Sequence, residues 1–475
     1  MLAVDQGTTG TTCLVVDEEL RPVGRGYREV PQHLPRPGWV EHDPEELWSS
    51  VVAASADALT AAGASARDLA AIGIANQRET TVVWERATGR PVHRALVWQD
   101  RRTAERCREL PADLLRDRTG LVPDPYFSAT KLEWLLSGRD AAGLAFGTVD
   151  SWLLWKLTGG RVHATDVSNA SRTLLFDLRR LRWDAELLAL FGVPEGVLPA
   201  VVPSSGVVAE GELLGARVPV AGLAGDQQAA LFGQACFRPG QVKATYGTGS
   251  FVLANTGADP GAPRHGLVQT VAWRLGEKPA VYALEGSIFV TGAALQWLRD
   301  GLGLLADAGE SEALARSVES TEGVHFVPAL TGLGSPHWAP EARGLVSGIH
   351  RGTRRAHLVR AALEAIAFQV CDVLAAMGLE PEVLRADGGG AENAFLLQLQ
   401  ADLAGVPVEV PVEREATALG AAALAGLAVG VWSGPDEIAA ARRLAVRYEP
   451  GLGRAEAEAQ LLAWRTAVRR ALLPD

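Results

Sequence analysis

Two short turns built from glycine and threonine, one in each half of the chain, constrain this sequence more than any other feature. Asp5-Gln6-Gly7-Thr8-Thr9-Gly10 follows the apolar run Leu2-Ala3-Val4, and Tyr246-Gly247-Thr248-Gly249-Ser250 leads into Phe251-Val252-Leu253-Ala254. Each reads as a tight reversal between two strands, because glycine takes backbone angles closed to other residues and small side chains leave N–H groups bare. One such turn is equally what a ligand-free hairpin uses. Two of them facing across a cleft would hold the two ends of a polyphosphate.

At 475 residues the chain exceeds one ordinary core and suggests two or three domains. Its net charge of −11, with no long Lys/Arg run, argues against general nucleic-acid binding. The cysteines Cys13, Cys107, Cys236 and Cys371 lack CxxC spacing, which fits a reduced, cytoplasmic protein better than a disulfide or zinc framework. No HExxH is present. Asp5 interrupts the short apolar start, so no signal peptide is expected. The Ala/Gly-rich run Leu419 to Trp432 is too short for a membrane span and reads as a close-packed core helix. No membrane insertion is expected.

The first residues alternate apolar runs (Leu2–Val4, Cys13–Val16, Val23–Tyr27) with turn signals, the pattern of an antiparallel meander. Asp43-Pro44-Glu45-Glu46 then starts a helix: an N-cap, a proline at the first position and acids in the first turn. Leu47, Val51, Ala54 and Ala58 give that helix its apolar stripe. Ile72–Ala75 reads as a buried strand ending at Asn76-Gln77-Arg78-Glu79-Thr80-Thr81, the end of a strand where α/β sheets place ligands. Beyond Pro239-Gly240 the order strand, Gly/Thr turn, strand recurs, which implies a duplicated architecture. The boundary is expected near residue 235, giving domains 1–235 and 236–475.

No Walker A loop, no GxGxxG opening the first strand–helix unit and no GxSxG is present, so a nucleotide would need another cradle. Asp5 can take part in Mg²⁺ binding through water. Thr8 and Thr9 can approach a transferring phosphoryl group, and Gly247 and Thr248 the other phosphates. Gly388-Gly389-Gly390 would let an adenine lie on bare backbone beside Asn393, or it is simply a left-handed turn. On the acceptor side, Arg78 and Glu79 could donate to and accept from adjacent polyol hydroxyls, or form a surface ion pair. Trp98 and Tyr126 are flat walls or core aromatics. Asp226, in Gly225-Asp226-Gln227-Gln228, is the candidate general base, with helix N-cap as its structural alternative.

These stretches resemble the glycerol kinases of the FGGY carbohydrate-kinase family over about residues 2 to 450. The resemblance rests on Asp5–Thr9, Pro37–Pro44, Asn76–Thr81, Asp124–Ser128, Asn169–Thr173, Gly225–Gly233 and Thr245–Gly249. It implies an α/β fold of two ribonuclease-H-like domains, of the actin-like ATPase superfamily, around a central cleft. It further implies transfer of phosphate from ATP to glycerol, with Mg²⁺, giving sn-glycerol 3-phosphate. Carried over by position, Arg78, Glu79, Tyr126, Asp226 and Gln227 are glycerol contacts, and Trp98 and Phe251 are aromatic walls. Thr8, Thr9, Gly10, Thr248, Gly292, Gln296, Gly389 and Asn393 are nucleotide positions, and Asp226 is the base. A homo-oligomer, dimer or tetramer, is also implied. The sequence departs from the pattern at Thr12, where many members carry arginine, and in the shortened segment Glu210–Arg217. The competing readings are a kinase for another small polyol or ketose, and an actin-like ATPase with no acceptor.

Overall fold

The computed structural model describes residues 1–473. The expected meander forms β1 (Leu2–Gln6), β2 (Gly10–Val16) and β3 (Pro22–Glu29), antiparallel, with Leu2 opposite Val15 and Gln6 opposite Thr11. Next comes α1 (Pro44–Ala62), capped by the Asp43 carboxylate accepting from Glu45 N at 2.9 Å and closed by Gly63 in the left-handed region. β4 (Ile72–Asn76) then runs parallel to β1. β5 (Ser205–Leu213), β6 (Ala216–Gly225) and α2 (Asp226–Gly233) complete the first half, giving the sheet order β5-β6-β4-β1-β2-β3. The mostly apolar run after Asp226 continues to Cys236, but α2 stops at Gly233, and Ala235 turns to φ 56°.

The second half repeats this plan. β7 (Val242–Tyr246) and β8 (Ser250–Gly257) form the second hairpin, followed by β9 (Val268–Trp273), β10 (Val281–Ile288) and α3 (Gly292–Asp300). After α4 (Arg355–Met377) come β11 (Leu384–Asp387), α5 (Ala394–Ala404), β12 (Val408–Pro411), α6 (Ala416–Ala428), β13 (Leu444–Tyr448) and α7 (Arg454–Ala471). The sheet order is β9-β10-β8-β7-β11-β12-β13. Thus β10-β8-β7-β11-β12 matches β3-β2-β1-β4-β6: three antiparallel strands, then two added in parallel. This is the duplicated α/β architecture expected from the two turns.

Strand periodicity sets the layers, because alternate side chains face opposite sides of a sheet. Leu2, Val4, Cys13, Val15, Ile72 and Ile74 pack with α1 and Trp152 on one face of the first sheet. Ala3, Leu14, Val16 and Ala75 face α2 and α6, and from the other side Leu253 and Ala283 of the second sheet join the same core. Val252, Ala254 and Leu284 turn to α4 and α5. Helices α2 and α6 therefore lie between the two sheets. Although α6 belongs to the second half, it lies on the first sheet: Ser205 Oγ donates to Leu424 O at 2.7 Å, and Trp432 Nε1 to Glu18 O at 2.9 Å. The Ala/Gly-rich run is the core helix expected; a Cβ on Gly222 would sit 2.7 Å from Ala425 N, so the backbones meet directly. Among the described residues no helix is long and apolar enough to cross a membrane.

Candidate active site

Both Gly/Thr turns point into one cavity of about 460 Å³, lined by Thr8 and Thr9 from the first and by Gly247, Thr248 and Gly249 from the second. Each turn is closed by its own backbone bond, Gly7 N to Gly10 O and Gly247 N to Gly249 O, both 2.9 Å. The same cavity receives Arg78, Glu79, Trp98, Tyr126, Asp226, Gln227 and Phe251. A second cavity of about 570 Å³, lined by Gly292, Leu295, Gly389, Gly390, Asn393 and Leu396 among others, shares Gly247, Thr248 and Gln296 with the first. The result is a continuous path from the acidic end at Asp226 to a larger chamber floored by glycine backbone.

Local structure explains how each wall is held. Arg78 and Glu79 follow β4 in a tight reversal: Thr80 N donates to Arg78 O at 2.6 Å, and Glu79 sits at φ 60°. That conformation is unfavourable for a glutamate and is held by Ser128 Oγ and Thr81 Oγ1, which both donate to Glu79 O. Lys131, fully buried, spends its ammonium on the carbonyls of Pro125, Tyr126 and Phe127, which fixes the Tyr126 segment. Trp98 Nε1 donates to Thr8 Oγ1 at 2.8 Å, and its ring meets Tyr126 edge-on at 5.5 Å. Trp98 and Tyr126 therefore serve as cavity walls, and Phe251 lies 5.5 Å below the Arg78 guanidinium carbon.

Arg78, expected as a donor to a polyol, lines the cavity and is itself held on several sides. Its terminal nitrogens are bound by Glu285 (2.5 and 3.0 Å), Tyr126 OH (3.1 Å) and Gln228 Oε1 (3.4 Å), and its Nε lies 3.2 Å from Asp226 Oδ1. Arg78 and Glu79 do not form a surface pair, since both are buried. Glu79 Oε1 instead takes Arg172 Nε at 2.6 Å, and Arg172 also reaches Glu285 at 3.0 Å. Two guanidinium groups thus bracket Glu285 and hold its carboxyl down to about 2 despite burial, which alone would raise it. The sequence assigns no role to Arg172 and Gln228, which stand only within the stretches Asn169–Thr173 and Gly225–Gly233, and Glu285 lies outside every stretch cited there. The available signal is a lone charge at an inward position of an apolar strand, as in Tyr282-Ala283-Leu284-Glu285-Gly286.

Asp226 is the first residue of α2, and Gly225 holds the N-cap position that sequence offered as Asp226's alternative role. Its Oδ1 accepts from Gln227 N at 2.7 Å, and its side chain stays 27% exposed to the cleft. Burial raises its pKa, opposed by the Arg78 and Lys243 cations. Asp5, at the end of β1, lines neither cavity; burial first, then the Asp226 and Glu415 charges, push its carboxyl far above the usual range. Among the described residues it accepts no hydrogen bond, and no cluster of three His, Cys, Asp or Glu stands ready to hold a metal. A hydrated divalent cation fits this donor set, since Mg²⁺ takes one or two carboxylates and completes its shell with water and phosphate.

On the nucleotide side the placement is partly different from expectation. Gly10 does not reach either cavity: it is buried in β2, where a Cβ would run into the Tyr27 ring. Gly292 lines the larger cavity, but the first amides of α3 are spent on the turn itself: Gly292 N bonds Gly247 O at 3.0 Å, and Thr291 and Ala293 N bond Thr248 O. Gly388 adopts φ 83°, ψ 171°, not a left-handed turn, and Gly389 opens toward the cavity with no atom within 4 Å of where a Cβ would lie. Asn393 caps α5 through Leu396 N at 2.9 Å, leaving its amide nitrogen 3.2 Å from Ser311 Oγ. Thr12, at the arginine position of the resemblance, is buried in β2 opposite Asp5.

Two lobes of one sheet plan around two joined cavities, the larger floored by glycine backbone, agree with the actin-like ATPase architecture that the resemblance implies. Residues 1–233 match the model for the FGGY family of carbohydrate kinases, N-terminal domain, and residues 242–429 that for its C-terminal domain. The chain belongs to this family. It is 54% identical over 488 residues to glycerol kinase from Bordetella parapertussis, covering 98% of this chain and 96% of the relative. Glycerol kinase 2 from Thermotoga maritima is 52% identical over 490 residues, covering 99% and 98%. Among solved structures, Plasmodium falciparum glycerol kinase with ADP superposes with a TM-score of 0.92 at 34% identity, covering 100% of this chain and 98% of that one. A gluconate kinase from Lactobacillus acidophilus, 21% identical with a TM-score of 0.87 over 99% and 97%, shares the fold.

Proposed function

We propose that this chain is a glycerol kinase, transferring the γ-phosphoryl group of ATP to a terminal hydroxyl of glycerol to give sn-glycerol 3-phosphate and ADP. The observation that carries this reading is the small cavity joined to the larger one at Gly247, Thr248 and Gln296. Its crossed aromatic walls, with Glu79 and Asp226 beside them, suit a small polyol, and the likeness to relatives called glycerol kinase supports glycerol as that polyol.

Asp226 accepts the proton of the attacking hydroxyl as the oxygen–phosphorus bond forms and ADP departs. Its raised pKa keeps it a useful base, and a positioned base contributes about 10²–10⁴-fold. Glu79, Tyr126 and Gln227 orient the triol, with Trp98 and Phe251 against its carbon chain. Thr8, Thr9 and the Gly247–Thr248 turn hold the phosphates, and Gly389, Gln296 and Asn393 face the rest of the nucleotide. Asp5 would hold Mg²⁺ through water, and the ion would neutralise phosphate charge. Four free, buried cysteines support a reducing cytoplasm, and the repeated sheets support a boundary near residue 235.

The deciding experiment incubates the chain with ATP, Mg²⁺ and, in turn, glycerol, dihydroxyacetone, erythritol and D-xylulose, scoring phosphorylated product by mass. Highest kcat/KM with glycerol is expected. A clear preference for the five-carbon ketose overturns the assignment, and phosphate release with no phosphorylated alcohol would mark an ATPase.

A further inference from the structure

Lys243 is fully buried in β7, behind the cavity residue Gln227 that it bonds, and no step described above uses it. Its ammonium donates to Gln227 Oε1 and to Thr245 Oγ1, the latter at 2.7 Å. Thr245 in turn donates to Asp387 Oδ1 at 2.5 Å, and Gln234 Nε2 occupies Asp387 Oδ2 at 2.8 Å. Burial lowers the Lys243 pKa and raises that of Asp387, each opposed by the other's charge; with Lys243 an ammonium and Asp387 a carboxylate, every bond in this chain has one direction. A carboxylate only accepts, so Thr245 gives its one proton to Asp387 and must accept from Lys243. An ammonium only donates, so the Gln227 oxygen must face Lys243. The Gln227 Nε2 is left without a protein partner among the described residues, on a side chain that lines the cavity.

We propose that Lys243 is a positioning residue that locks the polarity of the Gln227 amide, so that Gln227 meets the acceptor alcohol only as a hydrogen-bond donor. Beside it, Asp226 is an acceptor. The pair therefore selects an alcohol whose one oxygen gives its proton to Asp226 while a neighbouring oxygen accepts from Gln227, which is the arrangement of a vicinal diol. The inference rests on the alcohol-kinase reading above and assigns to that site a specificity device. The chain of bonds ends at Asp387, one residue before the glycine floor of the nucleotide chamber, so the lock is anchored in the second half while it acts on a residue of the first.

The test uses the intact enzyme with Lys243→Met, which removes the donors, and Lys243→Gln, which keeps a neutral donor in the same slot. If polarity is what matters, Lys243→Met raises the glycerol KM about tenfold, the effect of leaving one buried hydrogen bond unmade, while Lys243→Gln restores most of it and the ATP KM moves less. A purely structural role predicts the reverse ranking, because an apolar side chain suits a buried slot better than an amide. Gln227→Glu gives a second test: it keeps an oxygen toward Lys243 but turns an acceptor on the substrate, so it should fold at least as well as wild type and lose glycerol affinity about tenfold or more. Equal glycerol KM in Lys243→Met and wild type, or in Gln227→Glu and wild type, overturns the proposal. Failure of wild type to phosphorylate glycerol would strike the functional reading instead.

Discussion

Replacing Asp226 by asparagine separates chemistry from binding in this site. The amide side chain would keep an oxygen to accept from Gln227 N, as Oδ1 does at 2.7 Å, but could not take a proton. Arg78 would stay in place, because Glu285 holds it at 2.5 and 3.0 Å and Tyr126 at 3.1 Å, so the cavity wall does not depend on its 3.2 Å approach to Asp226. Loss of a positioned base is about 10²–10⁴-fold in kcat, or about 3–5 kcal/mol at 1.36 kcal/mol per decade. The glycerol KM should rise by about tenfold at most, since the retained oxygen stays on Gln227 N and the amide turns a donor toward the alcohol, so the loss in kcat exceeds the loss in binding. Stability should move the other way. The folded pKa of Asp226 is raised, so any stability its carboxyl contributes is full below the unfolded value of 3.8 and lost as pH rises through the folded one. At pH 8 the charged form opposes folding, and Asp226→Asn should melt at or above wild type. Coupled steady-state kinetics with a parallel thermal melt read both arms. Turnover within about threefold of wild type removes Asp226 from the base role. A lower melting temperature at pH 8 refutes the electrostatic argument.

Glu285→Gln leaves two buried guanidinium groups sharing only Glu79, and breaking such a network costs about 3–5 kcal/mol, so a sharply lowered melting temperature is expected and an unchanged melt counts against it. Gly389→Ala places a methyl in the nucleotide chamber without touching protein, so the ATP KM should rise roughly fivefold with the melt unaltered. Gly388→Ala is the contrast: its Cβ would lie 2.6 Å from Tyr246 O at φ 83°, so loss of about 1–3 kcal/mol of stability is expected in denaturant titration. Burial holds His42 down to about 4 from 6.5, so the unfolded chain binds the proton first and stability falls as pH drops from about 6.5 toward 4. His42→Asn should flatten that slope in urea titrations across the range, and an unaltered slope would dismiss the assignment.

Much of this fold was legible because its signals are local. Leu2, Val4, Cys13 and Val15 alternate with Ala3, Leu14 and Val16, and that alternation alone fixes which side of the sheet each faces. Asp43 and Pro44 announced a helix start that any chain with those residues would favour. The ring of charges around Arg78 was not legible, because Glu285 reaches it from another strand 207 residues away and no spacing rule links the two. Gly10 and Gly292 came as nucleotide positions from the resemblance alone, and the atoms that crowd them are those of Tyr27 and Gly247, although Gly292 also lines the larger cavity. Resemblance transfers the position of a residue more reliably than the partner it touches.

The placement of α6 bears on how this chain can be cut or engineered. Severing the chain near residue 235 would strip from the first sheet the helix that lies along Ala3, Leu14 and Ala75, leaving a bare apolar surface on the amino-terminal fragment. Neither piece should survive expression alone, yet the two produced together have a ready way to recombine, because the missing layer of one is the protruding helix of the other.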